Sequence, residues 1–308
     1  KNSVAIAGAT GSALPIESVK AGDAGEYQIS VTNALGTTVS SLTTLEVLAS
    51  VASAVTNVSV RTNLAANQRL IVGITMAGGP KRVLLRAVGP GLGVFNVPGT
   101  MPDPRMALFR DSTSLESNDD WGGSPALANT FAAVGAFGLP TESRDAALLS
   151  TVEGGRTAQI EGAVGGTVLV EAYDAESGVT PRLTNVSARN QVGTGGDVLI
   201  AGFSISGSAP KTVLIRAIGP TLGVFGVQGV LADPKLEVFS GPTKLTENDT
   251  WSPSLAAVFS QVGAFQLADG SKDAAIVLSL SPGGYTVQVS GADGGTGEGL
   301  IEIYEVQP

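Results

Sequence analysis

The chain of 308 residues contains neither cysteine nor histidine. The first absence excludes disulfides, thiolate metal sites and thiol catalysis, and the second removes imidazole bases and ligands. Aromatic residues make up only 5% of the chain. No uninterrupted apolar run reaches the roughly 20 residues that span a bilayer, so the segment is expected to be soluble, without membrane insertion. Basic residues are scarce as well: 18 Lys and Arg stand against 27 Asp and Glu, a net charge of -9. Neutralising phosphates takes clustered cations, so a general nucleic-acid role is excluded and anionic membranes are disfavoured. The segment carries no signal peptide, and its start at Lys1 rather than Met leaves the true start open. Cysteine absence does not locate the protein, and localisation has to come from the architecture.

What the chain has is repetition. The run Val83 to Phe95 returns 130 residues later as Val213 to Phe225, and between Val83 and Pro104, 14 of 22 positions match their counterparts between Val213 and Pro234. The duplication is an internal control: a residue essential to each copy's fold should survive in both, whereas a specialised site can sit in one. Each copy opens with Thr-Asn-Val-Ser, at Thr56 to Ser59 and at Thr184 to Ser187. The expected division is therefore a first domain over 1–48, a linker of small residues over 49–54, copy one over 55–177, a junction over 178–182 and copy two over 183–308.

With 41 Gly and 16 Pro, the composition predicts many short strands between tight turns. In Lys211 to Ile218, Val213, Ile215 and Ala217 alternate with Leu214, Arg216 and Ile218, the period of a strand. Tyr285, Val287 and Val289 alternate with Thr286, Gln288 and Ser290 in the same way. The Ala-rich stretches Pro125 to Val134 and Pro253 to Val262 are candidate helices. The fold class read from these patterns is all-β: a partial immunoglobulin-like sandwich followed by two tandem jelly-roll-like antiparallel β-sandwiches.

Asp23-Ala-Gly-Glu-Tyr27 followed by the alternating Gln28 to Asn33 resembles the tyrosine-corner segment of immunoglobulin-like domains. The resemblance implies a Tyr27 hydroxyl bonded back to the corner backbone, and Ile29 stands where the family commonly has Cys, as in disulfide-free bacterial versions. Leu14, Ile16 and Val19 would precede the corner, and Val39 to Leu48 would supply the last strand. The early strands and core Trp of a roughly 100-residue sandwich are absent, so an exposed apolar face and open edges are expected to be covered. The cover is either upstream chain or, as in donor-strand assembly, strands of another chain.

Asp233-Pro234-x-Leu236-x-Val238-Phe239, Asn248-Asp-Thr-Trp251 and Pro282-Gly-Gly-Tyr-Thr-Val-Gln-Val-Ser-Gly291 resemble the second half of bacterial pre-peptidase C-terminal modules. Both copies, nearly end to end, also resemble an uncharacterised repeat of large secreted proteins from Verrucomicrobia-type bacteria. These resemblances imply secretion, modularity and surface or accessory work, and no single activity.

Several residues invite a chemical reading. Asn118-Asp119-Asp120-Trp121 and Asn248-Asp249-Thr250-Trp251 present oxygens suited to Ca²⁺, which needs 6 to 8 of them. The competing reading makes them turns whose side chains bond backbone, with Trp plugging the core. Arg86 and Arg216 lie in apolar strands, as anion binders or as buried ion pairs with Asp145 and Asp273, or with Asp103 and Asp233. Gly89-Pro-Gly-Leu-Gly93 superficially resembles a phosphate loop, but no Lys-Ser/Thr pair follows and copy two has Thr221 at the third position. Gly294 to Gly299 resembles a fragment of a calcium-binding nonapeptide repeat and reads as a hairpin tip. Trp121, Trp251, Tyr173 and Tyr304 would stack on sugars if exposed, although their recurrence favours core packing. Ser residues have no His partner, and acidic residues scatter through turns rather than pairing for glycoside hydrolysis.

No catalytic residue or cofactor is assigned, and Ca²⁺ is the one candidate ion. The expected function is that of a noncatalytic, extracellular or cell-surface bacterial segment for structure, adhesion or assembly, with a protein partner or self-association through sheet edges. Two alternatives remain: a filament subunit completed by strand complementation, and a glycan-binding accessory region of a secreted hydrolase.

Overall fold

The computed structural model describes residues 1–16, 19–47 and 52–307. The chain forms two compact units, Lys1–Val51 and Ala52–Pro308.

In the first unit, β1 (Gly25–Tyr27) pairs antiparallel with β4 (Thr43–Leu45), and β2 (Ser30–Asn33) forms a hairpin with β3 (Gly36–Val39). The Tyr27 hydroxyl donates to the Asp23 carbonyl at 2.7 Å, the bond that the tyrosine-corner resemblance implies. The single strand expected over 39–48 is divided, because β3 ends at Val39 and β4 covers only Thr43–Leu45. Leu48, linker residues 49–51, and Glu17 and Ser18 of the expected corner lie outside the described residues. No described residue of this unit is buried, and Ile29, Val31, Val39 and Leu42 are each at least 49% exposed.

The second unit holds both copies. Copy one supplies β5 (Ala54–Leu64), β6 (Leu70–Val88), β7 (Arg105–Arg110), β8 (Thr113–Asn118), α1 (Pro125–Val134), β9 (Ala146–Glu161) and β10 (Gly166–Asp174). Copy two supplies β11 (Arg182–Val192), β12 (Leu199–Ser206), β13 (Lys211–Ile218), β14 (Pro234–Ser240), β15 (Thr243–Asn248), α2 (Ala256–Val262), β16 (Ala274–Leu280), β17 (Gly283–Gly291) and β18 (Gly297–Glu305). The long strands β6 and β9 of copy one correspond to the pairs β12/β13 and β16/β17 of copy two.

Every pairing between these strands is antiparallel, and the pairings trace two ladders of the same design. One runs β8, β7, residues 154–160 of β9, residues 70–76 of β6, β11, β18, β13, β16. The other runs β15, β14, β17, β12, β5, β10, residues 81–88 of β6, residues 146–152 of β9. Exchanging the copies converts one ladder into the other. Each ladder is thus half copy one and half copy two, joined at a seam: β6 with β11 in the first, β5 with β12 in the second. Both seams carry a bulge at the same place, leaving Thr184 and Thr56 out of register, so the repeated Thr-Asn-Val-Ser opening is a seam element.

The inner faces of both ladders pack into one core, in which Val58, Val60, Ile74, Val83 and Leu85 join Val186, Phe203, Ile215, Val287 and Ile303. This confirms an all-β, antiparallel sandwich. It departs from the expected division at 178–182, because the copies are not separate sandwiches. A copy's four-strand half-sheets end at β5 and at residues 70–76, whose alternate side chains are core, and only the other copy covers those edges.

On its outer face, each ladder is capped where β10, β6 and β9 of copy one, or β18, β13 and β16 of copy two, run side by side. Phe131 of α1 and Phe259 of α2 anchor these caps in two smaller apolar clusters. The Ser124 hydroxyl accepts from Leu127 N and Gly135, at φ +74°, ends α1, so the helix matches its expected span. The expected helix over 253–262 is split into a 3-10 turn, Pro253–Leu255, followed by α2. Among the described residues no helix is long and apolar enough to cross a membrane.

This exchange predicts that residues 52–177 alone form no folded monomer. Sedimentation and far-UV circular dichroism should find them unfolded or self-paired, and a folded monomer would contradict the seams.

Candidate functional site

The most chemically loaded residues lie beneath the caps, in two near-identical networks. Arg86 is 0% exposed; its Nε donates to Glu171 Oε2 at 2.9 Å, Nη2 donates to the same oxygen, and Nη1 donates to the Phe137 carbonyl at 2.6 Å. The other carboxylate oxygen of Glu171 accepts from the Tyr173 hydroxyl at 2.7 Å. The guanidinium also lies over Phe131 and Phe137, at 4.8 and 4.4 Å from their ring centroids. Copy two repeats this with Arg216, Glu302, Tyr304, Phe259 and Phe265.

The sequence reading placed Arg86 and Arg216 with Asp145 and Asp273 or with Asp103 and Asp233, and the structure corrects both pairings. Strand register sets Glu171 opposite Arg86 and Glu302 opposite Arg216, whereas the other carboxylates serve elsewhere. Asp145 accepts from Gly89 N at 2.7 Å and from Gly91 N, and Asp273 accepts from Gly219 N at 2.8 Å and from the Thr221 hydroxyl. Asp103 and Asp233 form surface pairs with Arg144 and Lys272. The signal overlooked was Glu-x-Tyr, present in both copies as Glu171-Ala-Tyr173 and Glu302-Ile-Tyr304.

The Gly-Pro-x-Leu-Gly run is therefore a clamped turn. Its N–H groups point at a protein carboxylate, which occupies the place a phosphate would take. Gly89 and Gly219 are fixed by close approach, since a Cβ there would lie 2.0 Å from the Met101 or Leu231 carbonyl oxygen. Trp121 and Trp251 continue the clamp: their indole N–H groups reach the Ser143 and Ser271 hydroxyls, which donate to Asp145 and Asp273. Trp121, Trp251, Tyr173 and Tyr304 are all at most 8% exposed, which removes them as sugar-stacking platforms.

A third buried pair was also overlooked. Lys81 Nζ lies 2.6 Å from Asp174 and donates to the Gly178 and Pro181 carbonyls, tying down the junction between the copies.

The Asn-Asp turns hold backbone. Asn118 Oδ1 accepts from Ala147 N and its amide donates to the Asp120 carbonyl; Asn248 does the same with Ala275 N and the Thr250 carbonyl. Asp119, Asp120 and Asp249 are exposed, with Arg105 3.9 Å from Asp119. Lys272 stands near Asp249, and its pKa is raised mainly by its hydrogen bond to Asp233. Among the described residues no group of three or more His, Cys, Asp or Glu gathers in metal-binding geometry. Gly294 lies in the turn between β17 and β18.

No protein-family model and no curated protein matches the chain. Among solved structures it is similar to the major capsid protein P2 of bacteriophage PM2, at 12% identity and a TM-score of 0.22, with 83% of this chain and 98% of that one covered. It is similar to the STIV MCP at 13% identity and a TM-score of 0.21, over 82% and 97% of the two chains. It is also similar to PNGF-II at 8% identity and a TM-score of 0.22, over 88% and 72%. Superpositions this loose leave the reading to the chain's own residues.

Two outcomes follow. Arg216→Met leaves the Glu302 carboxylate buried without its cation and should cost about 3–5 kcal/mol in urea unfolding, most of it recovered in Arg216→Met/Glu302→Gln. Full stability of the single variant would contradict the structural assignment. Burial first, then the adjoining Glu171 or Glu302 carboxylate, raises the Tyr173 and Tyr304 hydroxyls above the ordinary 10.0. A raised folded-state pKa means that their contribution is intact below pH 10 and lost as pH climbs through the folded value. Urea midpoints measured from pH 9 to 11.5 should therefore fall less in Tyr173→Phe/Tyr304→Phe than in the parent.

Proposed function

We propose that the chain is a noncatalytic structural, adhesion or assembly segment working outside the cell. The observation that carries this reading is where the reactive groups are. The side chains of Arg86, Glu171, Asp145, Lys81 and Asp174, and of Arg216, Glu302, Asp273 and Glu305 in copy two, are buried and bonded to the fold, so these charged groups hold the scaffold. The mechanism is interfacial. Among the described residues, edge strands β8 and β15 pair on one side only, and their bulges turn out Leu115 and Leu245, which are 42% and 45% exposed. Association through these edges fits an assembly role, and the Tyr27 corner of the first unit supports kinship with extracellular immunoglobulin-like modules.

A second reading has its own observation. Ile29, Val31, Val39 and Leu42 on and beside the β2–β3 hairpin are exposed apolar positions without a partner sheet among the described residues, which favours strand complementation.

Sedimentation equilibrium of the intact chain tests both readings. Association should rise with concentration, Leu115→Lys/Leu245→Lys should abolish it if the sheet edges carry it, and Val31→Asp should do so if the first unit does. A strict monomer at every concentration would contradict both.

A further inference from the structure

Each ladder's outer face has a step at its seam, where the capped half meets the open half of the other copy. At the β5–β12 seam this step forms a groove of about 450 Å³, the size of a small-ligand site. Its wall belongs to copy one. Phe95 is 54% exposed and meets Phe137 edge-to-face, with ring centroids 4.9 Å apart. Phe137 is the residue whose carbonyl and ring hold Arg86, so the wall stands on the buried ion pair. Copy two keeps the aromatic pair as Phe225 and Phe265 at 5.0 Å, although Phe225 is 61% exposed. The aromatic pair thus belongs to the fold of each copy, and it leaves more than half of Phe95 and of Phe225 open to solvent.

The floor is polar. Ser59 and Arg61 come from β5 and Thr286 and Gln288 from β17, and among the described residues none of their side chains has a hydrogen bond or ion pair. Gly202 of β12 keeps the floor open, since a Cβ there would lie 2.7 Å from the Ser59 hydroxyl. The corresponding step in the other ladder differs in charge: Arg189 faces Glu298 at 3.9 Å, whereas the position equivalent to Glu298 in copy one is Thr167. Among the described residues Arg61 therefore has no ion-pair partner, whereas its counterpart Arg189 has Glu298. Beyond the floor, Lys235 and Lys244 pair with Glu237 and Glu247, while the Asp197 carboxylate accepts from the Asn63 amide two residues along β5 from Arg61.

We infer that this groove binds a saccharide bearing a carboxylate, with Phe95 against the apolar face of a sugar ring, Arg61 on the carboxylate, and Ser59, Thr286 and Gln288 on hydroxyls. The forked guanidinium suits a planar carboxylate. Hydroxyl and amide groups spread across two strands suit a polyhydroxylated ring better than a peptide, because β5, β12 and β17 are each paired on both sides and offer no edge for strand addition. This inference goes beyond the structural role proposed above and stands independently of self-association.

Titration of the intact chain with a galacturonate trisaccharide, followed by NMR, tests it. Saturable shifts are expected at Ser59, Arg61 and Gly202, with binding about tenfold or more tighter than for the neutral galactose trisaccharide. Arg61→Gln should erase that preference, Phe95→Ala should weaken both sugars, and Arg189→Gln should change neither. No saturable binding of the galacturonate trisaccharide, undiminished binding to Arg61→Gln, or binding instead of a tetrapeptide with a free C-terminal carboxylate would overturn the inference. None of these results alters the sedimentation outcome, so the two proposals fail separately.

Discussion

Neither copy of the repeat can cover its own inner face, and the rest of the second unit follows from that constraint. A copy makes two four-strand half-sheets, one ending at β5 and the other at residues 70–76. Those strands place Val58, Val60, Val72 and Ile74 in the core while leaving a row of backbone donors and acceptors without a partner. Burying an unpaired backbone edge is unfavourable, and so is exposing these side chains. Pairing β5 with β12 and residues 70–76 with β11 removes both penalties at once, and by the copies' symmetry it does so twice. Duplication supplies in one chain what a swapped dimer would supply with two.

The charged networks depend on this frame. Each Arg reaches its Glu only because antiparallel register sets β6 against β10, or β13 against β18. Each guanidinium then holds the carbonyl and ring of Phe137 or Phe265, and each Asp holds the turn that carries Phe95 or Phe225. A buried pair of this kind adds little net stability over an apolar replacement, but removing one partner is costly, so it works mainly to fix the position of the cap. The exposed aromatic wall is thereby held by buried groups.

Much of the fold was legible in the sequence. The alternation in Lys211 to Ile218, the capped helix over 125–134 and the corner at Tyr27 each depend on local spacing, and each is present. The strand exchange was not legible for a physical reason: β5 and β11 share Thr-Asn-Val-Ser from their third residue, so each presents the same pattern to a strand of its own copy or of the other. Arg86 and Glu171 are 85 residues apart, and only the ladder joins them. At the candidate sites, the recurrence of Trp121 and Tyr173 in both copies rightly favoured burial. The Asn118 and Asn248 turns look the same in sequence whether their oxygens face an ion or a backbone N–H.

The central claim is that the two copies form one structure through their seams. Native-state hydrogen exchange on the intact chain tests it most directly, through the backbone amides of β5, β11, β12 and residues 70–76. The account predicts that these amides in both copies exchange with the same opening free energy, in a single cooperative unit. Exchange of one copy's seam amides at a clearly lower free energy, with the other copy still protected, would contradict it.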